Sequence, residues 1–192
     1  MRAALGRHPV LAAVLGTALV GFGAFGLATG SELTVSYLLI VGVGAIGVGV
    51  ADARVSFTTL ALCGLASWGV GHLAGGIIKL DGDRILYNAL LPGRIHFDNV
   101  VHFVGFGSAG LAAWEALRRH VTDTLSPRGI WFTVWLFAMG VGAFNEVIEF
   151  AITHIVEETQ IGGFENTGRD LVANMLGGAA AGVIAARRRV ST

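Results

Sequence analysis

Six stretches of the chain stay apolar for close to the roughly 20 residues that a helix needs to cross a hydrocarbon core. They run over about Pro9–Thr29, Thr34–Val50, Val55–Lys79, Asp98–Leu117, Gly129–Ile155 and Gly168–Ala186. The alternating segments of about ten residues that build a closed barrel are absent, so helices are the spanning solution. The pattern predicts an all-α integral membrane protein, a bundle of about six transmembrane helices forming one domain over residues 1–192. The first run follows Arg2 and Arg7 like the n-region of a signal peptide, but its apolar stretch is too long for one and has no clear cleavage site, so an uncleaved helix is expected. The longest connection, Leu80 to Phe97, contains Asp81-Gly82-Asp83, Pro92 and Gly93, which are turn signals. It is long enough to fold back as a lid over one mouth of the bundle.

Composition strengthens this picture. Hydrophobic residues make up 54% and charged residues 14% of the chain, with a mean hydropathy of +0.69, whereas soluble domains carry roughly 25% charged residues. The 29 glycines fit close helix packing in lipid. Thirteen basic and thirteen acidic residues balance, which gives no reason to expect nucleic acid as a partner. Membrane lipids are the expected surroundings, and the oligomeric state is left open. The lone Cys63 forms no internal disulfide. Arg2, Arg7, Arg54, Arg118, Arg119, Arg128 and Arg187 to Arg189 fall on one side of the six-span arrangement, against Lys79, Arg84, Arg94 and Arg169 on the other. By the positive-inside rule both termini are cytoplasmic.

Against that background seven polar residues stand out: His72, Asp98, His102, Glu146, Glu149, Asp170 and Asn174. A charge at the bilayer centre costs about 2.5–3.5 kcal/mol on insertion scales, so such groups are expected to share a site. With the topology above, all seven fall in the outer half of the membrane. The spacings Asp98/His102, Glu146/Glu149 and Asp170/Asn174 place each pair on one helix face. Imidazole and carboxylate at i, i+3 spacing suit a divalent Zn, Mn or Fe in a helical bundle. The expected metal ligands are His102, Glu146, Glu149, Asp170 and His72; Glu146, Glu149, His102 and Asp98 are the catalytic candidates. Asn174, one turn deeper than Asp170, and Arg169 and Arg94 near the outer mouth are the substrate-binding candidates, the two arginines alternatively pairing with local carboxylates. A bound metal would supply hydroxide for hydrolysis or group transfer on a lipid or lipid-linked envelope precursor. The same groups would equally serve a proton- or cation-coupled transporter, and a non-catalytic membrane scaffold is the third reading.

Each signal also has a structural explanation. Asp98 caps a helix in one reading, and Thr167 with Asp170 has capping-box spacing. His72 and His102 are core histidines in another, and Asn174 is interhelical glue. Glu146 and Glu149 resist this treatment best, because two carboxylates one turn apart repel unless a proton or cation intervenes. Gly42-Val43-Gly44-Ala45-Ile46-Gly47 matches G-x-G-x-x-G inside an apolar run with no preceding strand, so helix packing rather than nucleotide binding is expected. Glu157, Glu158 and Glu165 are read as a solvated acidic loop.

The segments Phe97-Asp98-Asn99-Val100-Val101-His102-Phe103, Asn145-Glu146-Val147-Ile148-Glu149-Phe150 and Arg169-Asp170-Leu171-Val172-Ala173-Asn174-Met175-Leu176-Gly177 resemble the signature of YjdF-type bacterial inner-membrane proteins. They are also similar to the VanZ-like pattern D-x-x-x-H, E-x-x-Q, D-x-x-x-N-x-x-G, over roughly the last hundred residues. Glu149 stands where the VanZ-like pattern has glutamine, which adds an acid and favours a cation. The resemblance implies a prokaryotic inner membrane and an outward-facing site, and names no substrate.

Overall fold

The computed structural model describes residues 6–82, 84–121, 125–155 and 161–190. Arg2, Asp83, Glu157 and Glu158, and the side chain of Arg189, lie outside the described residues. Six long helices dominate: α1 (Pro9–Ala28), α2 (Thr34–Val55), α3 (Thr59–Ile77), α4 (Phe97–Leu117), α5 (Pro127–Thr153) and α6 (Phe164–Val190). Each predicted run is therefore a helix. Five of them, α1 to α5, are long and apolar enough to cross a membrane. The sixth carries Arg169, Asp170 and Asn174 near its start, so its uncharged stretch runs only from Leu171 to Ala186.

The boundaries differ from the apolar runs where a polar side chain, rather than hydropathy, ends or extends the helix. Helix α2 continues to Val55 because Asp52 finds partners at its end. Its Oδ1 accepts from the Phe57 N–H at 2.8 Å and its Oδ2 lies 2.6 Å from the Arg7 guanidinium, which also bonds Ser56 Oγ at 2.9 Å. Asp52 is thereby 2% exposed, an internal ion pair that the hydropathy pattern had put outside the helix. Ser126 caps α5, its hydroxyl accepting from the Gly129 N–H at 3.2 Å, with Pro127 at the first helical position. Helix α6 begins at Phe164, so Thr167 and Asp170 sit past its first residues and form no capping box there.

The chain divides into two compact units, residues 1–101 and 102–192. In the first, Val41, Leu73 and Ile77 form a core against Leu15, Leu19 and Phe22. The connection after α3 is anchored rather than loose. Lys79 pairs with Ile85 in an isolated bridge, a short 3-10 turn covers Leu86–Asn88, and β1 (Leu90–Leu91) pairs antiparallel with β2 (Ile95–His96). Gly93 and Arg94 turn this hairpin with φ of 84° and 63°. Ile85 and Tyr87 bury against Val101, and the Tyr87 ring occupies the space that a Cβ on Gly75 would fill.

In the second unit α5 and α6 each bury one stripe, while α4 is buried on several faces. On α5 the buried positions are Ile130, Val134, Ala138, Gly142 and Glu146, every fourth residue. On α6 they include Asp170, Asn174, Gly177, Gly178, Ala181 and Gly182. Small residues let the backbones close in: a Cβ on Gly107 would stand 2.7 Å from the Gly177 carbonyl oxygen, and one on Gly177 would overlap the Phe103 carbonyl. Outward, Phe144, Val147 and Phe150 of α5 are 65%, 61% and 66% exposed. Small and polar residues inside with large apolar ones outside is the arrangement that lipid, not water, stabilises.

Gly177→Ala should therefore lower stability by about 1–3 kcal/mol through overpacking. Gly140→Ala, whose Cβ meets nothing within 4 Å, should leave stability unchanged or slightly raised. Thermal unfolding of both variants in detergent checks the contrast, and equal effects would contradict the close crossing.

Candidate functional site

The buried stripes of the second unit end in polar residues. His102 lies near the start of α4, Glu146 and Glu149 near the end of α5, and Asp170 and Asn174 near the start of α6. Because a stripe follows the helix period, the residue that continues it toward the helix end remains on the packed seam. Glu146 continues the line of Ile130 to Gly142, and Asn174 stands one turn before Gly178. Polar groups are thus carried into the interior by the same register that packs the glycines.

There they meet. His102 Nδ1 lies 3.2 Å from Asn174 Oδ1 and 3.7 Å from Glu146 Oε1. One ring nitrogen of His102 and one carboxylate oxygen each from Glu146 and Glu149 lie within 4.8 Å of one another, and an Asp170 oxygen lies equally close to the imidazole. His102, Glu146, Asp170 and Asn174 are 6%, 7%, 0% and 0% exposed, so the group is screened from solvent and lipid alike. The Asn174 Nδ2 has no hydrogen-bond partner among the described residues. A Cβ on Gly142 would overlap that amide, so the glycine makes room for the asparagine.

Two asparagines that the charge pattern did not single out hold the carboxylates. Asn145 Nδ2 donates to Glu149 Oε1 at 2.8 Å, and Asn166 Nδ2 donates to Asp170 Oδ2 at 2.6 Å. Both are i, i+4 pairs on their own helices, and that spacing was the readable signal. Buried Glu115, 4% exposed on α4, also escaped the sequence reading.

Arg169, Arg94 and His72 take different places, whereas Asp98 stands on α4 one turn before His102. Arg169 forms an exposed ion pair with Glu165, 2.5 Å away on its own helix. Arg94 is exposed in the hairpin turn, and Asp98 is half-buried in the first turn of α4. That turn is closed by Asn99, whose Oδ1 accepts the His96 N–H at 3.0 Å. His72 belongs to the first unit, where its Nδ1 is hydrogen-bonded to the Tyr87 hydroxyl. Its ring stacks on Trp68 and meets the Tyr37 edge, both with centroids 4.9 Å apart.

A sequence profile described as "Predicted membrane protein (DUF2238)" matches residues 9–191. No curated protein and no solved structure matches the chain.

Gly142→Ala should cost about 1–3 kcal/mol by displacing Asn174, and far less when combined with Asn174→Ala, which clears the space. A double-mutant cycle by unfolding in mixed micelles measures this coupling. Strict additivity would show that the two residues do not touch.

Proposed function

The chain belongs to the DUF2238 family of predicted membrane proteins, and from that premise we propose that the second unit carries a divalent-metal site for hydrolysis or group transfer on a lipid or lipid-linked envelope precursor. The observation that carries this reading is the cluster of His102, Glu146 and Glu149 donor atoms within 4.8 Å of one another. Neighbouring ligands on a tetrahedral zinc stand roughly 3.4 Å apart, given metal–ligand distances near 2.1 Å, so small side-chain rotations would close the set. Zn, Mn and Fe all accept imidazole and carboxylate together. Asn174 then orients the imidazole, and Asn145 and Asn166 hold Glu149 and Asp170, the supporting contacts that a metal site requires.

A divalent metal held by His102 and the Glu146/Glu149 pair would supply a nucleophilic water near neutral pH. The glutamate of that pair standing outside the ligand set would take the proton of the water, and Asp170 beside His102 would steady the ring. Asp98, one helical turn before His102 on α4, and Arg169, next to Asp170 on α6, remain candidates for substrate roles by their residue chemistry. The likeness to the YjdF-type and VanZ-like patterns supports a prokaryotic inner membrane. Within the second unit, Arg118, Arg119, Arg128, Arg187 and Arg188 lie at the helix ends opposite the polar cluster. By the positive-inside rule those ends are cytoplasmic and the cluster faces the outer leaflet.

Elemental analysis of protein purified in detergent should find close to one divalent metal per chain. His102→Ala and Glu146→Gln should lose it at least tenfold while keeping their helix content. Metal-free wild-type protein that drives pH-dependent uptake into vesicles would replace this reading with a proton- or cation-coupled transporter. Metal-free protein without uptake would leave a scaffold.

A further inference from the structure

The hairpin between α3 and α4 exposes apolar side chains that the rest of its connection buries. Leu90 of β1 and Ile95 of β2 are 62% and 48% exposed, whereas Ile85 and Tyr87, a few residues earlier, are buried against Val101. The strands pair Leu90 with His96 and Leu91 with Ile95. Because neighbouring rungs of a ladder present opposite faces, each side of the hairpin shows one of these apolar residues to its surroundings. Pro92, Gly93 and Arg94 at the turn are exposed as well. Arg94 makes no hydrogen bond or ion pair among the described residues. The tip is apolar and cationic at once.

Where this tip lies follows from its attachment. Strand β2 runs directly into α4, whose 21 residues extend about 31 Å at the helical rise, close to the roughly 30 Å of a hydrocarbon core. Phe97 therefore stands at the boundary between tails and headgroups. Counting back at about 3.3 Å per residue, Ile95 lies within about 7 Å of that boundary and Arg94 within about 10 Å. The headgroup region adds about 5–8 Å on each side of the core. Leu90, opposite His96, is no farther out than Ile95. The hairpin is also held from swinging clear, since the Phe97 N–H donates to the Ala89 carbonyl and the His96 N–H to Asn99 Oδ1, both at 3.0 Å. Lys79 Nζ moors the start of the connection, donating to the Gly30 carbonyl at 2.9 Å.

We propose that this hairpin is an interfacial anchor, with Leu90 and Ile95 set into the headgroup layer of the leaflet at that end and Arg94 paired with a lipid phosphate. Apolar side chains beside a cation are the combination that partitions to this layer, the apolar parts reaching the acyl boundary while the charge stays with the phosphates. A lid closed on protein would cover Leu90 and Ile95 instead of exposing them. The anchor lies wholly in the first unit and stands whether or not the second unit holds a metal.

Spin labels on Leu90→Cys and Ile95→Cys, each made separately in a Cys63→Ala background, test the assignment in vesicles of equal parts phosphatidylcholine and phosphatidylglycerol. Power-saturation spectroscopy compares collisions with oxygen, which concentrates in lipid, against collisions with a water-soluble nickel chelate. Both labels should give an oxygen-to-nickel ratio several-fold above that of a headgroup-labelled phosphatidylcholine in the same vesicles. A ratio at or below that reference puts the tip in water and overturns the anchor. Protection from both reagents puts the tip against protein and overturns it equally. Adding Arg94→Glu to the Leu90-labelled protein should lower the ratio, because the acid is repelled where the guanidinium was held, and an unchanged ratio overturns the phosphate pairing.

Discussion

Helices α4 and α6 touch backbone to backbone at Gly107 and Gly177, and the polar cluster of the second unit depends on that touch. Between helices in lipid there is no hydrophobic drive to associate, since tails are as apolar as side chains. Close van der Waals packing and interhelical hydrogen bonds must do the work. Once two glycines fix the crossing, helix geometry dictates what lies beside it. Asn174 precedes Gly177 by three residues and shares its face of α6, and His102 adjoins Phe103, whose carbonyl a Cβ on Gly177 would overlap; the two side chains approach to 3.2 Å.

The acids follow from the same constraint. Glu146 ends a stripe of residues spaced by four, and its neighbour Glu149 is drawn in with it. Two carboxylates and an imidazole inside a few ångströms form an arrangement that hydrocarbon tolerates only when something is shared between them, whether a proton or a cation. The asparagines one turn away each donate to one oxygen of Glu149 or Asp170.

The first unit solves a different problem. Among its described residues the one strongly buried charge, Asp52, is matched by Arg7 from 45 residues away, tying the segment before α1 to the end of α2. Its aromatic group of Tyr37, Trp68, His72 and Tyr87 packs around glycines of α3. Near the Arg7 end the helices leave a groove instead of a seam, lined by Gly16, Gly42 and Gly49, and glycine there removes side-chain volume without admitting another helix. The G-x-G-x-x-G segment of α2 therefore widens an opening, contrary to the tight packing expected of it. Glycine thus has two meanings in this chain, close approach and open space. Composition cannot distinguish them.

The chain's own pattern determined the helices, because 20-residue apolar runs have no other way to satisfy their backbone in lipid, and it singled out His102, Glu146, Glu149, Asp170 and Asn174, because intramembrane polarity is costly wherever it occurs. Hydropathy misplaced the ends of α2 and α6, since Asp52 and Arg169-Asp170 look like boundaries until their partners are known. The i, i+4 contacts Arg169–Glu165, Asn145–Glu149 and Asn166–Asp170 are local and lay within reach of the spacing alone; only tertiary structure decided that His72 is held by Tyr87 in the first unit, that Arg7 meets Asp52 and that His102 meets Asn174. Periodicity tells which face of a helix a residue occupies. Which neighbour that face meets depends on where glycine lets two backbones close, and that is a property of the pair.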